Sequence, residues 1–155
     1  MNGKGRVMTL HELKEKWPIF KTIRLEHGPG WYSIIDDVMT AIYKAGFDEN
    51  RDEIRQIKEK FGTLRFYVVC DASVEDQASV SEPNSGNRVQ QILTAIKVND
   101  TSGKTCEECG LPGRLLVSAG WWLTRCSDHA PQGAIAPAKY FALRELKNRT
   151  SGNGQ

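Results

Sequence analysis

The 155-residue sequence predicts an α+β fold, a small domain of helices and antiparallel strands with a compact module appended towards its C-terminal end. Three observations carry that expectation. Ile35, Val38 and Ile42 recur at helical spacing, residues 54–70 alternate with period two, and two short Cys/His pairs stand sixteen residues apart after Thr105. With 39% apolar and 26% charged residues, the chain can bury one sizeable core. Its longest apolar runs, Val68–Cys70 and Leu115–Val117, are far too short to span a bilayer. No membrane role is expected, and the N-terminal stretch lacks the apolar region of a secretory signal, so a cytoplasmic location is expected.

The elements follow in order. Thr9 stands three residues before Glu12, the spacing of a capping box, and Trp17-Pro18 is a natural stop, so Thr9–Lys16 reads as a short helix. Leu25–Gly30 reads as a turn. Residues 31–46 read as a helix, with Asp36 and Asp37 in its first turn, Lys44 in its last and Gly46 just beyond its end. Two antiparallel strands come next, Ile54–Glu59 and Leu64–Cys70, joined through Lys60-Phe61-Gly62. Strict alternation sets Ile57 with Arg55 and Glu59, on the face opposite Ile54. Residues 71–86 hold four acids, four serines and no base, the composition of a solvated loop. Val89, Ile92, Leu93 and Ile96 then form the stripe of an amphipathic helix. Three segments result: residues 1–102 as the α+β domain, 103–135 as the module, and 136–155 as a C-terminal helix, about Pro137–Arg149, with a flexible tail.

The sharpest chemical signal lies in the module. Cys106-Glu-Glu-Cys109-Gly110 is followed by sixteen residues and Cys126-Ser-Asp-His129, a C-x2-C-x16-C-x2-H pattern. Each pair can turn two ligand atoms towards one point, and the spacer is long enough for a hairpin that brings the pairs together. Arg114–Val117 and Trp121–Arg125 are the two strands of that hairpin, joined around Ala119-Gly120 by either a two-residue turn or a three-residue loop with a bulge. The expected cofactor is a single Zn2+ ion held by Cys106, Cys109, Cys126 and His129, in a zinc-ribbon or treble-clef-like module. Four protein ligands leave no position for water, so the ion is expected to be structural. Cys70 ends an apolar run and is not counted among the ligands.

Other features bear on function. Ser102-Gly103-Lys104-Thr105 resembles the end of a phosphate-binding loop, but the first glycine of that motif falls on Val98 and a helix precedes it. No nucleophile elbow, H-E-x-x-H or paired-carboxylate frame is present, and the chain lacks the further histidines of a second, open metal site, so no enzymatic activity is expected. The net charge of +2 announces no polyanion partner by itself, yet residues 103–155 carry seven Lys/Arg against four Asp/Glu. Trp121 and Trp122 sit on the hairpin between Arg114 and Arg125, a mixture suited to stacking on bases while cations hold phosphates. Neighbours on a strand face opposite ways, so one tryptophan packs inward and the other outward, without an indication of which. The final helix adds Lys139, Arg144 and Lys147. Lys58, Lys60 and Arg65, around the first hairpin turn, read as a solvated surface.

Gly30-Trp31, the run from Ile57 to Tyr67 (IKEKFGTLRFY), CEECG from Cys106, Gly120-Trp121 and CSDH from Cys126 together resemble a family of small uncharacterised proteins of bacteriophages and bacteria. The resemblance covers roughly Gly28 to Ala130 and implies a phage or prophage origin and a zinc-binding C-terminal part. It implies no activity. The leading expectation is a non-enzymatic, zinc-stabilised phage-type protein that recognises nucleic acid or a host protein that handles nucleic acid. The alternative is an inhibitor or adaptor that occupies a host protein, such as an antiviral defence component. A third reading is a nucleotide-binding protein using His27 and Gly28–Trp31.

Overall fold

A computed structural model describes residues 7–70 and 93–151. The first helix, α1 (Leu10–Lys16), starts from the expected box: Glu12 N–H donates to Thr9 Oγ1 and Thr9 N–H to Glu12 Oε2. Helix α2 (Tyr32–Lys44) buries Ile34, Ile35, Val38, Met39 and Ile42 on one face. Gly46, at φ 91°, ends it in a Schellman motif, with Gly46 N–H donating to Tyr43 O and Phe47 N–H to Ile42 O. Helix α2 starts at Tyr32, so Asp36 and Asp37 fall past its first turn rather than in it; Asp36 accepts from Lys16 Nζ at 2.8 Å and from Trp17 Nε1 at 2.7 Å, which ties the two helices together.

Strands β2 (Glu53–Lys60) and β3 (Thr63–Val69) form the expected antiparallel hairpin. Their turn residues Phe61 and Gly62 both have positive φ, as a two-residue turn matching the strand twist requires. Two details depart from the sequence reading. A bulge at Arg55 lets two steps along β2 oppose one along β3, so Ile54 and Ile57 both point into the core. Leu25–Glu26 is a short strand, β1, rather than a turn, and pairs parallel with β2 through Leu25↔Ile57 and Glu26↔Lys58. The sheet, ordered β1-β2-β3, is therefore mixed, and α2 serves as the crossover that a parallel pair needs.

Helix α3 (Val98–Ser102) runs beside the outer edge of β3. Ser102 Oγ accepts the Leu64 N–H at 2.9 Å and donates to Val98 O at 2.7 Å, filling the edge that a further strand would otherwise occupy. Ser102 thus has a structural task. Of the stripe expected to make one helix, Val89 and Ile92 lie outside the described residues, as does the 71–86 loop. Leu93 and Ile96 join the core, but Lys97 at φ 52° breaks the run before α3 begins.

Strands β4 (Arg114–Ser118) and β5 (Trp121–Arg125) pair antiparallel with Ser118 opposite Trp121. Ala119 at φ 50° and Gly120 at φ 85° make the two-residue turn, not the three-residue loop. Helix α4 (Pro137–Ser151) follows and buries none of its residues. A bridge between Val117 and Ile135 and the packing of Trp122 on Tyr140 and Phe141 hold its start to the hairpin. No helix among the described residues is long and apolar enough to cross a membrane.

Candidate metal centre

Cys106, Cys109, Cys126 and His129 converge, with their ligand atoms all within 4.8 Å of one another. Cys109 Sγ lies 3.7 Å from Cys126 Sγ, and His129 Nδ1 lies 3.7 Å from Cys106 Sγ and 3.2 Å from Cys126 Sγ. A tetrahedral ion with metal–sulfur bonds of about 2.3 Å and metal–nitrogen bonds of about 2.0 Å sets such pairs roughly 3.5–3.8 Å apart. The two 3.7 Å separations match and the 3.2 Å one is shorter, so the four residues could hold one metal ion. The first pair sits on a knuckle in which Cys106 N–H donates to Leu111 O and Gly110 N–H to Cys106 O, with Gly110 at φ 72°. The second pair sits in a turn closed by His129 N–H on Cys126 O.

The electrostatics suit a cation. Burial opposes ionisation of Cys106, but the backbone N–H groups of Cys126, Cys109 and Glu108, with the Cys109 thiol, outweigh it and bring the Cys106 thiol down to about 7. Burial and the neighbouring Cys106 and Cys126 thiols push Cys109 up to about 11. Three thiolates converging on one point would repel one another, and a cation between them offsets that repulsion.

The knuckle is seated in the α+β domain. Gly30 N–H donates to Glu107 O, and Trp31 Nε1 donates to Thr105 O at 2.8 Å. A Cβ on Gly30 would lie 2.1 Å from Cys106 O and one on Gly28 2.5 Å from Glu107 O, so only glycine allows the two backbones to meet. The Glu107 side chain accepts from Gly28 N–H at 2.9 Å and from Arg125 Nη1 at 2.8 Å. From the other side, Thr124 Oγ1 donates to Gly62 O at 2.6 Å, which locks the first hairpin turn onto β5. These contacts all cross the expected division near residue 102.

Glu107 and Thr124 carry no role in the reading of the sequence, and Gly28 and Gly30 appear there only as a nucleotide loop and as part of a resemblance, not as a seat for the knuckle. The signal for the glycines is their spacing, two within three residues before a tryptophan, which marks close backbone approach. His27 and Gly28–Trp31, the loop of the third, nucleotide-binding reading, carry this seat. His27 Nδ1–H donates to Gly28 O, its ring packs on Trp31 and Tyr32, and its buried Nε2 has no partner. Burial pushes the His27 imidazole below its ordinary value, against the opposing pulls of Gly28 and Glu107.

The expected contact residues divide. Trp121 is 77% exposed, whereas Trp122 packs on Tyr140 and Phe141. Arg114 is exposed. Arg125, expected as a contact residue, is paired within the chain: its side chain is 16% exposed and its guanidinium bridges Glu107 and Glu108 at 2.8 and 2.9 Å. Lys139, Arg144 and Lys147 are exposed along α4, with the Arg144 guanidinium 5.8 Å from the Tyr140 ring. Compared with known proteins, the chain matches no family model, and no curated protein or solved structure is significantly similar to it.

Proposed function

We propose that the protein is a non-enzymatic binding protein for nucleic acid, with one structural zinc ion holding its C-terminal module in shape. The observation that carries this reading is Trp121, largely exposed on a metal-braced hairpin beside a helix with Lys139, Arg144, Lys147 and Arg149 against the single acid Glu145. Three thiolates and an imidazole at tetrahedral spacing suit zinc, and a shell completed by protein leaves no site for a reacting water. The ion supplies cross-linking only. Because the second ligand pair occupies a turn and α4 begins at Pro137, the module is closer to a zinc ribbon than to a treble clef.

A second reading has its own support. Phe141, Leu143 and Leu146 are exposed on α4, an apolar set suited to a host protein partner that this chain would inhibit or adapt. Anisotropy of labelled DNA and RNA at rising salt separates the two. The nucleic-acid reading expects binding that falls steeply with salt and weakens in Trp121→Ala. Salt-insensitive or absent binding, with a host protein captured by the wild type and lost in Leu143→Ser/Leu146→Ser, would establish the second reading instead.

A further inference from the structure

Resting on the nucleic-acid reading above, we infer that the outer face of the three-stranded sheet is a second contact surface, built to take single-stranded nucleic acid. On this face Lys58 stands opposite Arg65, Lys60 opposite Thr63 and Gln56 opposite Tyr67, with Phe61 at the hairpin tip. The face is not an ordinary solvated one. Phe61 is 60% exposed and Tyr67 42%, and each ring lies under a lysine, Lys60 Nζ at 5.5 Å and Lys58 Nζ at 5.7 Å. Phe61 also occupies a left-handed turn position, φ 54°, where glycine or asparagine is at ease and a bulky side chain is not. An aromatic ring is thus held in solvent at a conformational cost.

Lys58, Lys60, Arg65 and Lys97 form no ion pair among the described residues. Two acids lie beside them: Asp100, paired with Lys104 at 2.8 Å and in the field of Lys97, and Glu26, which stands opposite Lys58 on β1 and accepts from Gln56 at 3.2 Å. Arg65 stands between two depressions. One, of about 360 Å³, is walled by Tyr67 and Lys97, and the other, of about 420 Å³, by Phe61, Leu115 and Trp122. Its Nη1 is buried and has no hydrogen-bond partner among the described residues. Cations at the spacing of one strand register, interleaved with exposed rings, match a backbone whose bases are free to stack. Bases paired within a duplex cannot reach such rings, which selects a single strand.

The test is anisotropy of fluorescein-labelled dT20 with the full-length, metal-loaded protein between 50 and 200 mM salt. Phe61→Ala and Tyr67→Ala are each expected to weaken binding about fivefold or more, and Tyr67→Phe to retain it. Arg65→Ala and Lys58→Ala should each lower the slope of log K against log salt by about 0.7. Unchanged metal content and melting temperature identify these as surface effects. If the face variants bind dT20 as the wild type does while Lys139→Ala/Arg144→Ala/Lys147→Ala loses affinity, the sheet face is idle and only this inference falls. If the wild type binds neither dT20 nor a 20-base-pair duplex in a salt-dependent way, the nucleic-acid reading falls with it.

Discussion

Between Leu13 and Val98, fifteen buried apolar residues form one continuous cluster, whereas from Cys106 to His129 the buried apolar residues are Cys106, Leu116 and Val117. The first region is held by area removed from water, a sum of many modest contributions, each open to partial compensation. The second has too little apolar surface for that and, on the reading proposed above, depends on four ligand atoms and one seat. The contrast teaches where each region is fragile. A side chain can be trimmed in the domain at a local cost, but removing one sulfur from the module removes what organises it.

The largest effect therefore belongs to the ligands. Metal binding by small zinc modules is worth about 10–16 kcal/mol in apparent free energy at neutral pH. Cys109→Ser or Cys126→Ser is expected to lower the metal content from one ion to none and open residues 103–135 to proteolysis, with α1, α2 and the first sheet still folded. Cys70→Ser should leave the metal in place. Elemental analysis and limited proteolysis read both, and one bound ion in every variant would refute the ligand assignment.

Trimming the domain sharpens the other side. Ile35→Ala, at a fully buried position, should cost about 2–5 kcal/mol in urea unfolding and leave the metal content at one. Simultaneous loss of metal would mean that the two regions unfold as a single unit.

Their contact is the next target. Gly30→Ala drives a methyl group against Cys106 O, a backbone atom that cannot swing away, and should cost about 1–3 kcal/mol. The expected signature is faster capture of the metal by a chromophoric chelator. An unaltered capture rate would show that the seat does not brace the knuckle.

The smallest effect is on pH dependence. Burial holds the His27 imidazole below its ordinary 6.5, so the unfolded chain binds the proton more readily than the folded one. The resulting stability is fully present above pH 6.5 and is lost as pH falls through the lower folded value. His27→Gln should flatten that acid limb of the melting-temperature profile relative to wild type. Parallel profiles would assign the acid limb to other groups.

Much of this was legible in the chain. The capping box at Thr9, the Schellman ending at Gly46, both hairpins and the four ligand residues are written in short-range patterns, where spacing maps directly onto geometry. The bulge at Arg55 was not, because strict alternation and a one-residue insertion differ only in which isoleucine turns inward. Nor was β1, whose two residues are too few to show a period.

Residue order alone determined the metal-binding set and the types of the main elements, since each rests on residues a few positions apart. Tertiary structure alone decided that Gly28 and Gly30 seat the knuckle, that Arg125 is consumed by Glu107 and Glu108, and that Trp121 rather than Trp122 faces solvent. The physical reason is separation along the chain. Gly28 meets Glu107 across 79 positions and Trp31 meets Thr105 across 74, and no local pattern encodes which distant backbone will arrive at a given side chain.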